Sequence, residues 1–456
     1  MPIRNLLNAL LAKFSAGDNT HADRTRIIHG LVHSLIIQGG SALLILVGNL
    51  LMARWTGPDA YGQYIHVFNW ISILGVVALC GQEDLALAGI PRYLAENQPG
   101  RVFAFVRRSN RFILISSAVV ILFFLVFIWL FPVKTIYENR YAFLPASLAI
   151  YGTAFLALNQ NILQAMHFIR LSQWVEKLIK PALLILFFWL ARWMFRLPDG
   201  RTLVFLAVLT TMICCLVLMW LIWKKVQPLQ VHRILYPRER TRGKLLHFFA
   251  VDLLYLFSIK ITMLVLPFFS AQREVGIFNV SYRFADLVIF PFFLLNAVVP
   301  QLFSEKYKAQ EAHKQFLYHE SSKFVTWLTL PVIVINIVAG KVFLGWFGKD
   351  FVSGYSALIQ LSIAKLFYPM AGPAHTVLTM LDKEKYAVWA LSGYVLIVLV
   401  GNLLLVPSMG LQGGALSILI GSFCYNTTLA LMAWRFCGVR SYLIGLLIPA
   451  SGRRAS

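Results

Sequence analysis

Three cations stand where a lipid-facing or core segment would exclude them. Lys260, Arg283 and Lys365 each sit inside a long, otherwise apolar run. An ionisable group at the centre of a hydrocarbon-embedded helix costs at least ~2.5–3.5 kcal/mol, so such groups face a cavity or a partner. A cavity lined by cations attracts an anion, Arg with a planar fork and Lys as a point charge. Four acids share these surroundings: Glu83, Asp84, Asp252 and Asp286. They could exchange a proton or bind a cation, or they could simply neutralise the bases. Asp286 lies three residues after Arg283, one helix face away from cancelling it. Asp252 lies about two turns before Lys260 and could do the same. Lys365 has no acid within a turn on either side. In the first half, Gln160, Asn161 and Gln164 form a polar stripe beside Asn159 and His167. Such a stripe hydrogen-bonds either a polar ligand or a neighbouring helix.

These residues need elements to hold them, and composition says of what kind. The chain has 456 residues, 59% hydrophobic and only 13% charged. A soluble domain carries about 25% charged residues. Windows of ~20 apolar residues, the length that crosses a ~30 Å hydrocarbon core, recur along the whole chain. The reading is an all-α integral membrane protein of about twelve spans. They fall near 28–53, 61–89, 111–131, 142–167, 178–197 and 202–223, then 246–270, 278–303, 324–347, 355–381, 386–406 and 412–436. The stretch 441–450 is too short to cross and is expected at the interface. Residues 1–27 place Ile3, Leu6, Leu7, Leu10, Leu11 and Phe14 at helical spacing without the unbroken apolar run of a signal peptide. They are expected as an amphipathic cytoplasmic segment.

The net charge of +22 points to loop location rather than to nucleic acid. Most of the 41 Lys and Arg fall in segments on one side of the membrane if the N-terminus is inside. The loop 224–245 contributes Lys224, Lys225, Arg233, Arg238, Arg240, Arg242 and Lys244. Both termini are therefore expected in the cytoplasm. Trp55, Tyr61, Tyr64, Trp193, Trp223 and Trp346 fall near span ends, as interfacial anchoring predicts. The five cysteines form no ligand or disulfide pattern, and no metal or cofactor is expected.

The basic loop divides the chain into 28–223 and 246–436, six expected spans each, followed by a tail at 437–456. Duplicated transporters divide in this way. The Gly57-Pro58 turn ends the first expected span, and the equivalent turn of the second half reads FFSAQREVGIFNVSYRF. Setting Gly62 against Gly276 puts Tyr64 over Phe278 and Trp70 over Phe284. An even number of spans per half makes the repeats parallel, related by an axis along the membrane normal.

ARWTGPDAYGQY (53–64) resembles the first hairpin of bacterial polysaccharide and O-antigen flippases, of the multidrug/oligosaccharidyl-lipid/polysaccharide exporter superfamily. IPRYLAE (90–96), VGIFNVSYRFADLVIFP (275–291) and VPSMGLQGGALSILIGSF (406–423) are similar to further family motifs in the same order. GQEDLALAG (81–89) departs from the pattern in its acids, and the expected span count is lower than that of the superfamily's lipid II flippases. The resemblance implies a non-enzymatic carrier in the bacterial inner membrane. Its cargo would be an undecaprenyl-diphosphate-linked oligosaccharide moved from the inner to the outer leaflet, with a polysaccharide polymerase and chain-length machinery as partners. Two six-helix lobes would form a V around a central cavity and rock between its two openings. Lys260, Arg283 and Lys365 would then meet the diphosphate, and Gln160, Asn161 and Gln164 the sugar. A multidrug or small-cation exporter would instead want acids in the cavity. A membrane polymerase or ligase would want a large outer loop, and none is expected here.

Overall fold

The computed structural model describes residues 21–130, 139–194, 199–227, 242–292, 311–381 and 383–447. The described residues are helical, without strands. The helices are α1 (His21–Leu79), α2 (Gln82–Ala95), α3 (Pro99–Leu130), α4 (Leu148–Ala165), α5 (Lys180–Met194) and α6 (Gly200–Val226). The second half contributes α7 (Arg242–Phe269), α8 (Gln272–Asp286), α9 (Glu311–Phe347), α10 (Tyr355–Ala371), α11 (Glu384–Met409) and α12 (Leu411–Cys437). Short turns of helix at Arg140–Ala146, Ile169–Trp174, Ala374–Met380 and Tyr442–Leu447 join or follow them. Residues 1–20 of the expected segment 1–27, most of the basic loop, the end of the expected span 278–303 and the end of the tail 437–456 lie outside the described residues.

Nine helices among the described residues are long and apolar enough to cross a membrane. The difference from twelve has identifiable causes. Gly39–Leu79 counts once but holds two of the expected spans. At Gly57 the backbone takes φ 79° and ψ 171°, outside any helix. Tyr61 donates to Asn49 Oδ1 at 2.7 Å, although the two are 12 residues apart. Along a straight helix that separation is about 18 Å, so α1 folds sharply back at Gly57-Pro58. Glycine supplies the positive φ at little steric cost. The expected spans at 178–197 and 355–381 appear as helices of 15 and 17 residues. α5 follows a stretch of π-helix at Val175–Ile179, and α10 is cut by Gly372 (φ 69°) before Pro373. The second expected span also ends early, at the turn through Cys80 and Gly81, both with positive φ.

The apolar surface points outward as well as inward. Leu122, Phe123 and Val338 are exposed on α3 and α9, and Trp193 is 83% exposed. Hydrocarbon accepts such faces at no cost, so membrane helices need bury only part of their circumference. The buried side chains form two main clusters. One lies wholly within Val67–Val226. The other draws chiefly on Ile261–Val439 and recruits Met52, Ala53, Tyr61, Ile65, Phe188, Ala191, Leu203 and Leu206 from the first half.

The two turns aligned in the sequence touch in the structure. Gly62 and Gly276, paired in the sequence register, pack backbone against backbone. A Cβ on Gly276 would lie 2.5 Å from the Pro58 carbonyl oxygen and 3.3 Å from Gly62 Cα. A Cβ on Gly62 would overlap the Gln272 carbonyl. In the same register Pro58 corresponds to Gln272, so each glycine meets the partner of the residue that the other glycine meets. Such an exchange is what a two-fold contact requires. Gly413 and Gly414 allow a similar approach between α11, α12 and α7, against the Leu405 carbonyl and Thr262.

Substitution at this contact provides a test. Gly62→Ala forces the backbones apart and should destabilise the protein by about 1–3 kcal/mol, the usual cost of overpacking. Gly39→Ala, where nothing lies within 4 Å of an added Cβ, should be near neutral or slightly stabilising. Thermal unfolding of both variants in detergent, followed by tryptophan fluorescence, checks the difference.

Candidate functional site

A cavity of about 510 Å³ opens in the second half, walled by α7, α8, α10, α11 and α12. It contains all three in-span cations, Lys260, Arg283 and Lys365, together with Asp286. Each arrives by a local rule. Arg283 and Asp286 lie one turn apart on α8 and so face the same side. Lys260 comes from α7, and Lys365 from α10 just before that helix breaks. The break itself lines the cavity through Gly372, Pro373, His375 and Thr376. Tyr318 donates to the Ala371 carbonyl at 2.8 Å, satisfying a backbone acceptor at the interruption. Helix interruptions in membranes persist where protein or a cavity satisfies the freed backbone groups.

The pairing within the cavity differs from the local spacing. Asp286 binds Lys365 at 2.8 Å rather than its neighbour Arg283. Lys365, without an acid on its own helix, therefore finds one on α8. It also donates a 3.2 Å hydrogen bond to the Tyr282 hydroxyl and lies 4.5 Å from the Tyr282 ring and 5.9 Å from that of Tyr368. Its charge is largely satisfied inside the protein. Arg283 is the opposite case. Among the described residues it has no acidic partner, and its Nε is buried without a hydrogen bond. Lys260 pairs with no acid either. Its Nζ donates to Asn69 Oδ1 on α1 at 2.8 Å.

The other candidates fall into a second group. Glu83 accepts from Asn161 Nδ2 at 2.9 Å, tying α2 to α4. Asp84 lies within hydrogen-bonding reach of Asp252 across the two halves, so Asp252 does not neutralise Lys260. Gln160 is half-buried and Gln164 exposed, and neither lines the cavity. The polar stripe is not brought to the three cations.

Sequence reasoning passed over the tyrosines. Tyr255, Tyr282, Tyr368, Tyr394 and Tyr425 surround the cavity. Their mid-span positions, away from the belts where tyrosine gathers, were the available signal. Tyr61 was expected in the interfacial belt but is fully buried. Its hydroxyl bonds Asn49 and accepts from Asn279 Nδ2 at 2.7 Å, because it lies between the two halves. Among the described residues no group of His, Cys, Asp and Glu could hold a metal ion.

The described residues form apolar helices, several long enough to cross a membrane, around a cation-bearing internal cavity, and solved structures of membrane transporters share this fold. One is an inward-facing multidrug resistance MATE family transporter of the MOP superfamily. It matches with a TM-score of 0.72 at 15% identity, over 90% of this chain and 96% of that one. The lipid II flippase MurJ in an inward closed conformation matches with a TM-score of 0.68 at 16% identity, over 88% and 87%. A MOP superfamily transporter from Pyrococcus furiosus, described as having a binding pocket of reversed polarity, matches at 0.64 and 16%, over 89% and 94%. At these identities the likeness is one of fold. A search of curated proteins finds no match. The family model for polysaccharide biosynthesis proteins matches residues 27–307, and the chain belongs to that family.

The ion pair and the open cation should respond differently to substitution. Asp286→Asn leaves Lys365 buried and uncompensated and should cost about 1–3 kcal/mol, less than a wholly buried pair because the Asp286 side chain is 36% exposed. Adding Lys365→Met should recover most of that loss. Arg283→Ala should change stability by less than about 1 kcal/mol, since it breaks no pair. Unfolding midpoints of the four proteins decide the matter.

Proposed function

We propose that the chain is a flippase. It moves an undecaprenyl-diphosphate-linked oligosaccharide from the inner to the outer leaflet of the bacterial inner membrane, and it is not an enzyme. Its twelve spans form two six-helix lobes, 28–223 and 246–436, which alternate access around the cavity. Membership of the polysaccharide biosynthesis family supports the substrate class. The observation that carries the reading is Arg283: a guanidinium at the cavity wall, its Nε buried and unbonded, while Asp286, the one acid lining the cavity among the described residues, is held by Lys365. An unspent guanidinium in a low-dielectric pocket is suited to grip a diphosphate through two parallel hydrogen bonds. Lys260 adds charge beside it, and Lys365 supports the pocket through Asp286. With three cations to one acid, the cavity disfavours the cationic drugs of the exporter reading.

The tyrosine rings offer flat faces and hydroxyls to the sugar nearest the diphosphate. Gln160, Asn161 and Gln164 are left to a more distant part of the glycan or to helix packing. The cargo's charge also sets a direction. A diphosphate of about −2 moving outward gains roughly 4–5 kcal/mol per 100 mV of an inside-negative potential, at ~2.3 kcal/mol per charge.

In proteoliposomes loaded with a fluorescent undecaprenyl-diphosphate sugar, Arg283→Ala should slow flipping at least tenfold at normal protein abundance. Arg283→Lys should keep a partial rate. An imposed potential, negative on the loading side, should speed the wild type without any ion gradient. Full activity of Arg283→Ala would overturn the diphosphate grip. A rate that ignores potential and follows a sodium or proton gradient would shift attention to Glu83, Asp84, Asp252 and Asp286.

A further inference from the structure

We infer that the Lys260–Asn69 bond senses whether the cavity is occupied and passes that state to the contact between the two halves. The inference rests on the proposal that the cavity takes an anionic prenyl diphosphate. Lys260 belongs to the cavity wall, yet its ammonium is held at 2.8 Å by Asn69 of α1, in the other half. Asn69 is buried, and its own Nδ2 has no hydrogen-bond partner. The amide is therefore half-used, committed through its oxygen to this one cation. Asn69 lies 12 positions beyond Gly57, about 18 Å along the helix from that turn. That is roughly halfway through a ~30 Å core, deeper than the Gly62–Gly276 contact.

The chemistry of the two partners makes the bond exchangeable. Lys260 carries three donors and must satisfy them inside hydrocarbon, where water is scarce. In this structure the neutral Asn69 oxygen is the acceptor it uses. A phosphate oxygen is a stronger acceptor, because it adds a full opposite charge to a bond that the ammonium alone assists when it meets a neutral amide, and a low-dielectric site magnifies that difference. Arg283 in the same wall would hold such an oxygen close by. Lys260 then turns to the anion, and its bond to α1 is lost. Asn69 is left with both polar atoms unsatisfied, which penalises the arrangement that keeps α1 and α7 together at this level. Occupancy thereby shifts the balance between arrangements of the halves through a differential contact, as any ligand-driven change must.

The repeat register adds an independent observation. In the alignment that superposes Gly62 on Gly276, Asn69 corresponds to Arg283. The first half thus carries a neutral amide where the second carries the open cation. Lys260 reaches from one half to the amide that stands in Arg283's place in the other.

The signature of a sensor is that removing the acceptor tightens binding. Farnesyl diphosphate serves as probe, measured by equilibrium binding to the purified full-length protein in detergent. Asn69→Leu should bind it about tenfold more tightly than the wild type, since Lys260 no longer has to be drawn from Asn69. Lys260→Met should bind it more weakly, and adding Asn69→Leu to Lys260→Met should change nothing further. Equal or weaker binding by Asn69→Leu, in a protein whose wild type binds and whose Arg283→Ala does not, would overturn the sensor and leave the diphosphate reading standing. Tighter binding that persists in the Lys260→Met background would also overturn it, since the effect would not pass through Lys260. No binding to the wild type would remove the diphosphate reading and the sensor together. If Asn69→Leu fails to accumulate, Asn69→Ser, whose side chain is too short to reach Lys260, takes its place.

Discussion

A cation in hydrocarbon must be matched by a counter-charge or by an acceptor that the protein itself supplies, because the surrounding solvent provides neither. Much of the second half follows from how three cations meet that demand. Lys365 takes Asp286, two tyrosine rings and a hydroxyl contact. Lys260 takes an amide oxygen from the opposite half. Arg283 takes no acid among the described residues. Satisfying two of the three internally leaves one site of strong, unspent attraction rather than a diffuse positive field. A single unspent guanidinium has a direction and a bidentate geometry, whereas three free charges would attract anions without orienting them.

The two halves share a frame and differ in chemistry. The register that pairs Gly62 with Gly276 also sets Phe68 against Tyr282, Asn69 against Arg283 and Ser72 against Asp286. Every charged or phenolic group of that cavity segment has a neutral or apolar counterpart in the first half. The cavity is accordingly a property of the second half, and the first half contributes the amide that Lys260 reaches.

Much of this was legible in the sequence. Periodicity and the scarcity of charge gave the helices, since lipid permits little else for a spanning segment. The Gly57-Pro58 turn was visible because a glycine that must take a positive φ, followed by proline, leaves a compositional mark. The three cations could be located for the same reason: their cost makes them conspicuous. Their partners could not. Local spacing favoured Asp286 for Arg283 and Asp252 for Lys260, but Asp286 pairs with Lys365 and Asp252 approaches Asp84. Which side chains meet across helices depends on helix rotation and separation, which no one-turn rule contains. The shortness of α5 and α10 was hidden in a related way. An apolar window reports that a segment can cross, whereas Gly372-Pro373 and the π-turn at Val175–Ile179 interrupt the helix without interrupting the apolarity.

The contact at Gly62 and Gly276 is made by main-chain atoms, the Pro58 and Gln272 carbonyls among them. Peptide groups are the same whatever side chains they carry. Two segments joined in this way can therefore differ, phenylalanine against tyrosine or asparagine against arginine, one or two turns deeper without losing their fit at the joint. A joint built from interlocking side chains would tie each such change on one segment to a compensating change on the other. The backbone joint separates the freedom to meet from the freedom to differ, and it lets α8 carry charge where the matching turn of α1 stays neutral.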